Sequence, residues 1–331
     1  MLIGLTYDLR SDYLAQGFPP EAAAEFDSDL TIDALEGVIR SLGHRTDRIG
    51  NGRALCSRLA AGDRWDFVFN IAEGLCGRCR EAQVPAILEV YGIGYTFSDP
   101  LVCAATLDKA VAKRLVQAAG LPTPGFAVVT APADLHSVKL DYPLFAKPLA
   151  EGTSKGITDR SVIDTPAMLE AACKSLLNEF HQPVLVEEFL PGREFTAAIL
   201  GTGPSARVLG IMEIEMRQPG GAAVYSYETK ERCEEFVRYS PLRAGSLYDE
   251  AAALALSCYR ALECRDAARV DIRCDRKGKP SFIEANPLPG LQPGHSDLPM
   301  IAEQQGMNYA ALIGSIIQSA TTRLGIATNE K

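Results

Sequence analysis

Apolar residues in the first hundred positions come in short blocks, separated by stretches where they recur at helical spacing. The blocks at 2–7, 45–49, 65–71 and 94–97 have the length and the aliphatic and aromatic content of strands. Between them, 29–42, 53–60 and 81–91 read as helices, the first with apolar residues at Leu30, Ala34, Leu35 and Val38. This alternation predicts an open parallel sheet covered by helices.

Farther along the pattern changes. Residues 108–119 read as a helix ended by Gly120, and Leu121-Pro122-Thr123-Pro124-Gly125 is a rigid connector that no helix tolerates. Short strands at 126–129, 142–147 and 184–187 surround a helix at 166–178, which predicts a small α+β unit. The last third holds strands at 194–200, 207–215, 267–274 and 280–285. A closing helix then places Tyr309, Leu312, Ile313, Ile316 and Ile317 on one stripe for core packing. The organisation expected is an N-terminal α/β unit at 1–100, a central unit at 101–186 and a C-terminal unit at 187–331.

Composition narrows the class. The chain has 331 residues, 47% hydrophobic and 23% charged, enough to bury a sizeable core without extensive disorder. A formal net charge of -9 argues against nucleic acid as a partner, since phosphate backbones need clustered Lys and Arg. No apolar run is long enough to cross a bilayer, and Asp8 comes too early for a signal segment. The nine cysteines are an odd number, scattered singly apart from Cys76 and Cys79, as expected of free thiols in the cytoplasm. Zinc at Cys76-Gly77-Arg78-Cys79 would need a second pair of ligands, and none of the four histidines lies nearby in sequence.

Three segments carry candidate chemistry. Arg269-Val270-Asp271-Ile272-Arg273 and Phe282-Ile283-Glu284-Ala285-Asn286, joined across Asp275 to Lys279, read as a β-hairpin. A turn centred near Lys277 and Gly278 sets Asp271 opposite Glu284, with Arg269 on the face of Asp271 and Asn286 on the face of Glu284. Opposed carboxylates repel unless a cation separates them, and carboxylate and amide oxygens suit magnesium, with manganese as a substitute. The competing reading is a solvated, charged face. The second segment is Lys147-Pro148 at the end of an apolar strand, followed by Glu151-Gly152-Thr153-Ser154-Lys155-Gly156. Such a loop either turns backbone N–H groups toward phosphate oxygens or is simply a flexible hairpin. The third is the run 184–190 ending in Glu187, Glu188, Phe189 and Leu190, where a strand edge beside an apolar pocket can hold an adenine ring, with Glu194 near the ribose.

Taken in order, these segments resemble the ATP-grasp superfamily, and within it the D-alanine–D-alanine ligases. The likeness rests on Gly94-Tyr95-Thr96-Phe97-Ser98, Leu107-Asp108-Lys109, Lys147-Pro148, 151–154, 187–190, Gly192-Arg193-Glu194-Phe195-Thr196, 225–230, Arg269-Val270-Asp271, Glu284-Ala285-Asn286 and Pro289-Gly290. It implies an ATP-grasp fold with an N-terminal parallel α/β domain, a homodimer, and an ATP-dependent carboxylate–amine ligase acting on amino-acid-like substrates through an acyl phosphate. Lys109 and Lys147 would hold phosphates, 187–190 the adenine and Glu194 the ribose. Lys230 would lie on a closing loop hinged near Gly220-Gly221, and with Thr153, Ser154 and Arg269 it would form the catalytic group. Arg269, on the face of Asp271, is placed to stabilise a tetrahedral oxyanion.

The substrate side departs from the family. Its opening Gly-Gly-x-Ser-x-Glu-Arg signature is replaced by Tyr7-Asp8-Leu9-Arg10 and an acidic insert through Glu25-Phe26-Asp27. The family's His-Gly appears as Glu73-Gly74 and its Glu-Asp-Gly as Arg78-Cys79-Arg80. Glu73, Arg78 and Arg80 either recognise a different, charged amino acid or make surface ion pairs. Glu231 follows Lys230 where the family has an aromatic residue. Gly290, His295 and Ser296 lie in a loop one residue longer than the family form, as second-substrate contacts or loop caps. The alternatives to D-alanine ligation are a dipeptide or specialised-metabolite ligase with other amino acids, a kinase of the same fold, and a nucleotide-binding regulatory protein.

Overall fold

The computed structural model describes residues 1–216 and 237–326. Strands β1 (Leu2–Thr6), β2 (Arg45–Gly50) and β3 (Phe67–Asn70) form a parallel sheet in the order β2-β1-β3. The expected strand at 94–97 adds only a single bridge, Tyr95 to Val68, held by Val68 N–H to Gly94 O at 2.9 Å and Thr96 N–H to Val68 O at 3.0 Å. Phe97 turns left-handed at φ 69°, which ends the extended run.

Helix Asp29–Ser41 is capped by Ser28, whose Oγ accepts Thr31 N–H at 3.3 Å. It packs on this sheet through Ile32, Leu35 and Ile39. Leu30, expected on the apolar face, is 70% exposed. The buried stripe is rotated because the closing helix, Tyr309–Leu324, covers the same core with Leu312, Ile313, Ile316 and Ile317.

Strands β4 (Phe126–Val129), β5 (Leu144–Pro148), β6 (Val162–Ile163) and β7 (Val184–Glu188) form an antiparallel sheet, order β4-β7-β5-β6. Helix Pro166–Phe180 packs on it through Leu169, Cys173 and Leu176. A five-stranded antiparallel sheet follows, ordered β10-β9-β8-β11-β12, from β8 (Glu194–Leu200), β9 (Arg207–Met216), β10 (Val237–Pro241), β11 (Ala267–Cys274) and β12 (Pro280–Asn286).

Alternation along β11 does the sorting that matters for chemistry. Val270 and Ile272 point into a core closed by helix Ser246–Ala261, while Arg269, Asp271 and Arg273 face the opposite side. That side is the cleft between the two antiparallel sheets. Among the described residues no helix is long and apolar enough to cross a membrane.

Candidate active site

Asp271 pairs directly across the ladder with Glu284, and Arg269 with Asn286, the register that the turn position predicts. A bulge follows at once, between Asp271 and Ile272, and it leaves Ile283 as the extra residue. The pair therefore sits where β12 is re-aimed.

The two carboxyls respond differently to burial. Burial, with the Glu284 charge beside it, pushes Asp271 up to about 6 even though Arg269 opposes the shift. Burial works against Glu284 as well, but Lys109, Lys147 and Arg269 overcome it and hold that carboxyl at about 2. Asp271 Oδ1 is buried without a hydrogen bond, and Asn286 Nδ2 lies 3.3 Å from Asp271 Oδ2. Two carboxylates and an amide, with Asp271 Oδ1 making no hydrogen bond beyond its ion pair with Arg269, fit a hard divalent ion. Among the described residues no three acidic, His or Cys side chains gather into a complete metal cage. Magnesium usually takes one or two carboxylates and leaves the rest of its shell to phosphates and water, so the set suits it.

Lysines converge on these carboxylates from two directions. Lys109 starts helix Lys109–Ala118, where Asp108 caps the first turn by accepting Val111 N–H at 3.1 Å. Its Nζ donates to Glu151 O at 2.5 Å and lies 3.4 Å from Glu284 Oε2. Lys147 comes from the end of β5 and lies 2.9 Å from Glu187 Oε1. Glu187 Oε2 is 2.8 Å from Lys113, one turn along the helix from Lys109. Burial raises the Glu187 carboxyl, yet the two ammonium groups outweigh it and bring it down to about 2.

Lys113 was not singled out in the sequence, because it sits among apolar residues inside a helix. The i, i+4 spacing from Lys109 was the available signal. Its fully buried ammonium also donates to Thr123 Oγ1 at 3.0 Å. Glu187 thus spends its carboxylate fixing two lysines.

The Glu151 to Gly156 loop has Thr153 and Ser154 both at positive φ, 47° and 58°. Consecutive left-handed residues without glycine cost of order 1–3 kcal/mol each, and such strain collects at functional sites. A Cβ at Gly152 would meet Glu25 Oε1 at 2.6 Å, so a side chain there would have to displace the Glu25 carboxylate. Thr153 Oγ1 is buried without a hydrogen-bond partner.

A cavity of about 120 Å³ gathers Lys147, Thr153, Ser154, 187–190, Glu194, Arg269, Asp271 and Glu284. Phe145 and Phe189 stack at one end with centroids 6.3 Å apart, and the Arg273 guanidinium lies 5.2 Å from the Phe189 centroid. Arg273 also holds Glu194, Nη1 to Oε2 at 3.1 Å. Glu188 Oε2 accepts Gly125 N–H at 3.1 Å.

The next cavity, about 410 Å³, shares Thr153, Arg269 and Glu284 with the first and continues to Glu73, Gly290, His295 and Ser296. Its walls also carry Glu25, Asp27 and Glu81. Arg269 is gripped by Asp297 at the start of helix Asp297–Gln304 and lies 3.2 Å, Nε to Oδ1, from Asp271. Ser296 Oγ accepts Gln292 N–H at 3.1 Å, a loop-capping bond.

Arg78 and Arg80 line an adjoining cavity of about 890 Å³, which shares Glu25, Phe26 and Glu151 with the 410 Å³ one. The Arg78 side chain is 73% exposed and pairs with Asp108 at 2.5 Å. Arg80 is buried, with Nη2 3.0 Å from Glu25 Oε2 and Nη1 donating to Ala150 O at 2.9 Å. Lys230, Glu231 and the Gly220-Gly221 pair lie outside the described residues. Cys76 and Cys79 are exposed free thiols.

The family model for the D-ala D-ala ligase C-terminus matches residues 115–318. A D-alanine–D-alanine ligase of Bordetella petrii is 37% identical over 302 residues, covering 89% of each chain. An uncharacterized protein of Sinorhizobium fredii is 35% identical over 313 residues, covering 92% of this chain and 91% of that one. Among solved structures, the D-alanine–D-alanine ligase of Bacillus anthracis complexed with ATP superposes with a TM-score of 0.72 at 22% identity, covering 98% of both chains. The D-Ala:D-Ser ligase of Enterococcus faecalis gives 0.73 at 21%, covering 96% of this chain and 99% of that chain.

Proposed function

The chain belongs to the D-alanine–D-alanine ligase family, ATP-dependent ligases that form a carbon–nitrogen bond, and from that premise we propose that it joins two amino acids through an acyl phosphate at the cleft around Arg269, Asp271 and Glu284. The carrying observation is that one hairpin presents the opposed carboxylates and Arg269 on a single face, with Lys109 and Lys147 converging on it.

In this reading Lys109 and Lys147 hold the phosphates against the 151–156 loop, and Phe189 and Leu190 close the adenine end. Bound at Asp271, Glu284 and Asn286, magnesium supplies charge neutralisation to the transferring phosphoryl group. The first substrate presents its carboxylate at the mouth shared by the two cavities and attacks the γ-phosphate, releasing ADP. The amine of the second then attacks the acyl carbon. Arg269 stabilises the developing oxyanion, and phosphate leaves as the amide forms. D-alanine is the default for both substrates, following the names of the relatives.

A ligase of other amino acids is the second reading, favoured by the acidic walls of the 410 Å³ cavity. The domain division at 1–100, 101–186 and 187–331, the cytoplasmic placement and the homodimer belong to the same proposal. Sedimentation of the purified chain reads the last of these. Phosphate release from ATP and magnesium, measured over pairs of D- and L-amino acids with mass spectrometry of products, tests the reaction. A dipeptide with stoichiometric phosphate is expected. A phosphorylated product would make the enzyme a kinase, and ATP binding without turnover would favour a regulatory role.

A further inference from the structure

Carboxylates in the 410 Å³ cavity divide into those with a partner and those without. Glu25 is fully engaged by Arg80 at 3.0 Å, Lys155 at 3.4 Å and the Gly152 N–H at 2.7 Å, and despite burial its carboxyl stays below the usual range. Glu284 has Lys109 and Asp297 has Arg269. Glu81, by contrast, has no hydrogen bond or ion pair among the described residues, although it is only 8% exposed and opens onto this cavity.

Glu73 and Asp27, on the same walls, have no ion pair among the described residues either. The nearest cations are already committed. Arg80 is turned toward Glu25 and Ala150 O, and Lys109 toward Glu151 O and Glu284.

A buried carboxylate without a counter-charge is unfavourable, and the protein's own answer is to take up a proton. Burial and the Glu81 charge push Glu73 well above the usual carboxylate range, and burial pushes Glu81 up to about 7 despite Arg80. Asp27 is raised to about 7 by burial and by Asp8. Among the described residues these walls carry more carboxylates than cations, with Arg10, Lys109 and Arg269 the arginines and lysines on them. At the phosphate end resident lysines already stand beside the carboxylates.

We propose that Glu81 and Glu73, with Asp27 on the same walls, form a cation subsite for the amino-acid substrate, and that it selects amino acids carrying a second ammonium group in the side chain. The inference rests on the ligase reading for its orientation, since the substrate carboxylate must point toward Arg269 and the γ-phosphate. The α-ammonium answers one carboxylate. A plain aliphatic amino acid leaves the others unanswered, whereas a diamino acid of ornithine or lysine type brings the second charge.

The test is calorimetric titration of the full-length protein, loaded with magnesium and a non-hydrolysable ATP analogue. The titrants are D- and L-ornithine, each against the size-matched norvaline. Wild type is expected to bind one ornithine enantiomer at least about tenfold tighter than its norvaline counterpart, the scale of a charge-assisted contact. Glu81→Gln and, separately, Glu73→Gln should bring that ratio close to unity while the nucleotide analogue still binds. Equal affinity for ornithine and norvaline in the wild type would overturn the subsite. An ornithine preference that survives in both variants would also overturn it, and would leave the two carboxylates as a proton-sharing structural pair.

Parallel phosphate-release assays separate the two readings. Selective, Glu81-dependent ornithine binding with no turnover for any amine would sink the ligase reading alone. Turnover of D-alanine with no ornithine preference would sink the subsite alone.

Discussion

The nucleotide side of the cleft and the amino-acid side are both rich in buried and half-buried carboxylates, yet they are neutralised in opposite ways. Glu187, Glu194, Asp271 and Glu284 each have a lysine or arginine within 3.4 Å. Asp27, Glu73 and Glu81 have none among the described residues. The first side is finished by the protein itself: its lysines are fixed before any phosphate arrives. On the second side the missing charge is left for the substrate. A site of the first kind is preorganised, and removing a partner breaks it. In the second kind the empty state is the strained one, so removing a charge relaxes it.

The largest effect should come from breaking the finished side. Glu187→Gln leaves Lys113 and Lys147 buried with one counter-charge gone, and breaking a buried pair from one partner costs about 3–5 kcal/mol. Chemical denaturation should show that loss together with weakened ATP binding. A Glu187→Gln protein as stable as wild type would mean that Lys113 and Lys147 find other partners.

Arg269→Met should come next. It should lower kcat by roughly 10²–10³-fold, the usual effect of removing one oxyanion donor, with little change in the KM for ATP. A change confined to the KM for ATP would place Arg269 on the nucleotide and not on the acyl carbon.

Glu81→Gln should act in the other direction on stability. It should make the ligand-free protein more stable by something on the order of 1 kcal/mol, since a neutral amide replaces an unpaired buried charge. Destabilisation by the same change would mean that Glu81 has a resident partner, and the contrast between the two sides would fail.

In the pH dependence the two sides again differ in sign. Glu187, lowered from 4.5 to about 2, contributes stability that is present above pH 4.5 and lost as pH falls toward 2. Asp27, raised from 3.8 to about 7, holds its proton more tightly in the folded state. Its cost is absent below pH 3.8, grows as pH rises, and is complete above pH 7. Melting curves between pH 5 and 8, compared between wild type and Asp27→Asn, should lie closer at the acidic end and diverge toward the basic end. Parallel curves would remove Asp27 from the account.

What the sequence revealed follows the same division. The hairpin register was legible because strand periodicity is strict and a Lys-Gly turn fixes its centre, so Asp271 and Glu284 could be paired on paper. Lys147 was legible as the residue closing an apolar strand before proline. Lys113 and Asp297 were not, since one sits inside a helix and the other opens a helix beyond a loop, and both matter only through what they touch. Strand β10 and helix Ser246–Ala261 also went unread.

On the amino-acid side the sequence left the geometry open. Arg78 and Arg80 looked like recognition groups because of their place in the motif, but a three-residue 3₁₀ turn, Arg80–Ala82, carries Glu81 to the cavity while Arg80 faces the other way. No periodicity rule resolves which side of so short a turn meets the ligand. The Glu25 insert was visible as acidic, but not as the clamp that joins Arg80, Lys155 and Gly152.

The proposed ligation requires a substrate carboxylate to become an acyl phosphate before the amine attacks. Turnover of an amino acid labelled with oxygen-18 in its carboxylate, in the presence of ATP and magnesium, tests it most directly. One labelled oxygen should appear in each inorganic phosphate released alongside the amide product. Phosphate released without label would contradict the acyl-phosphate route.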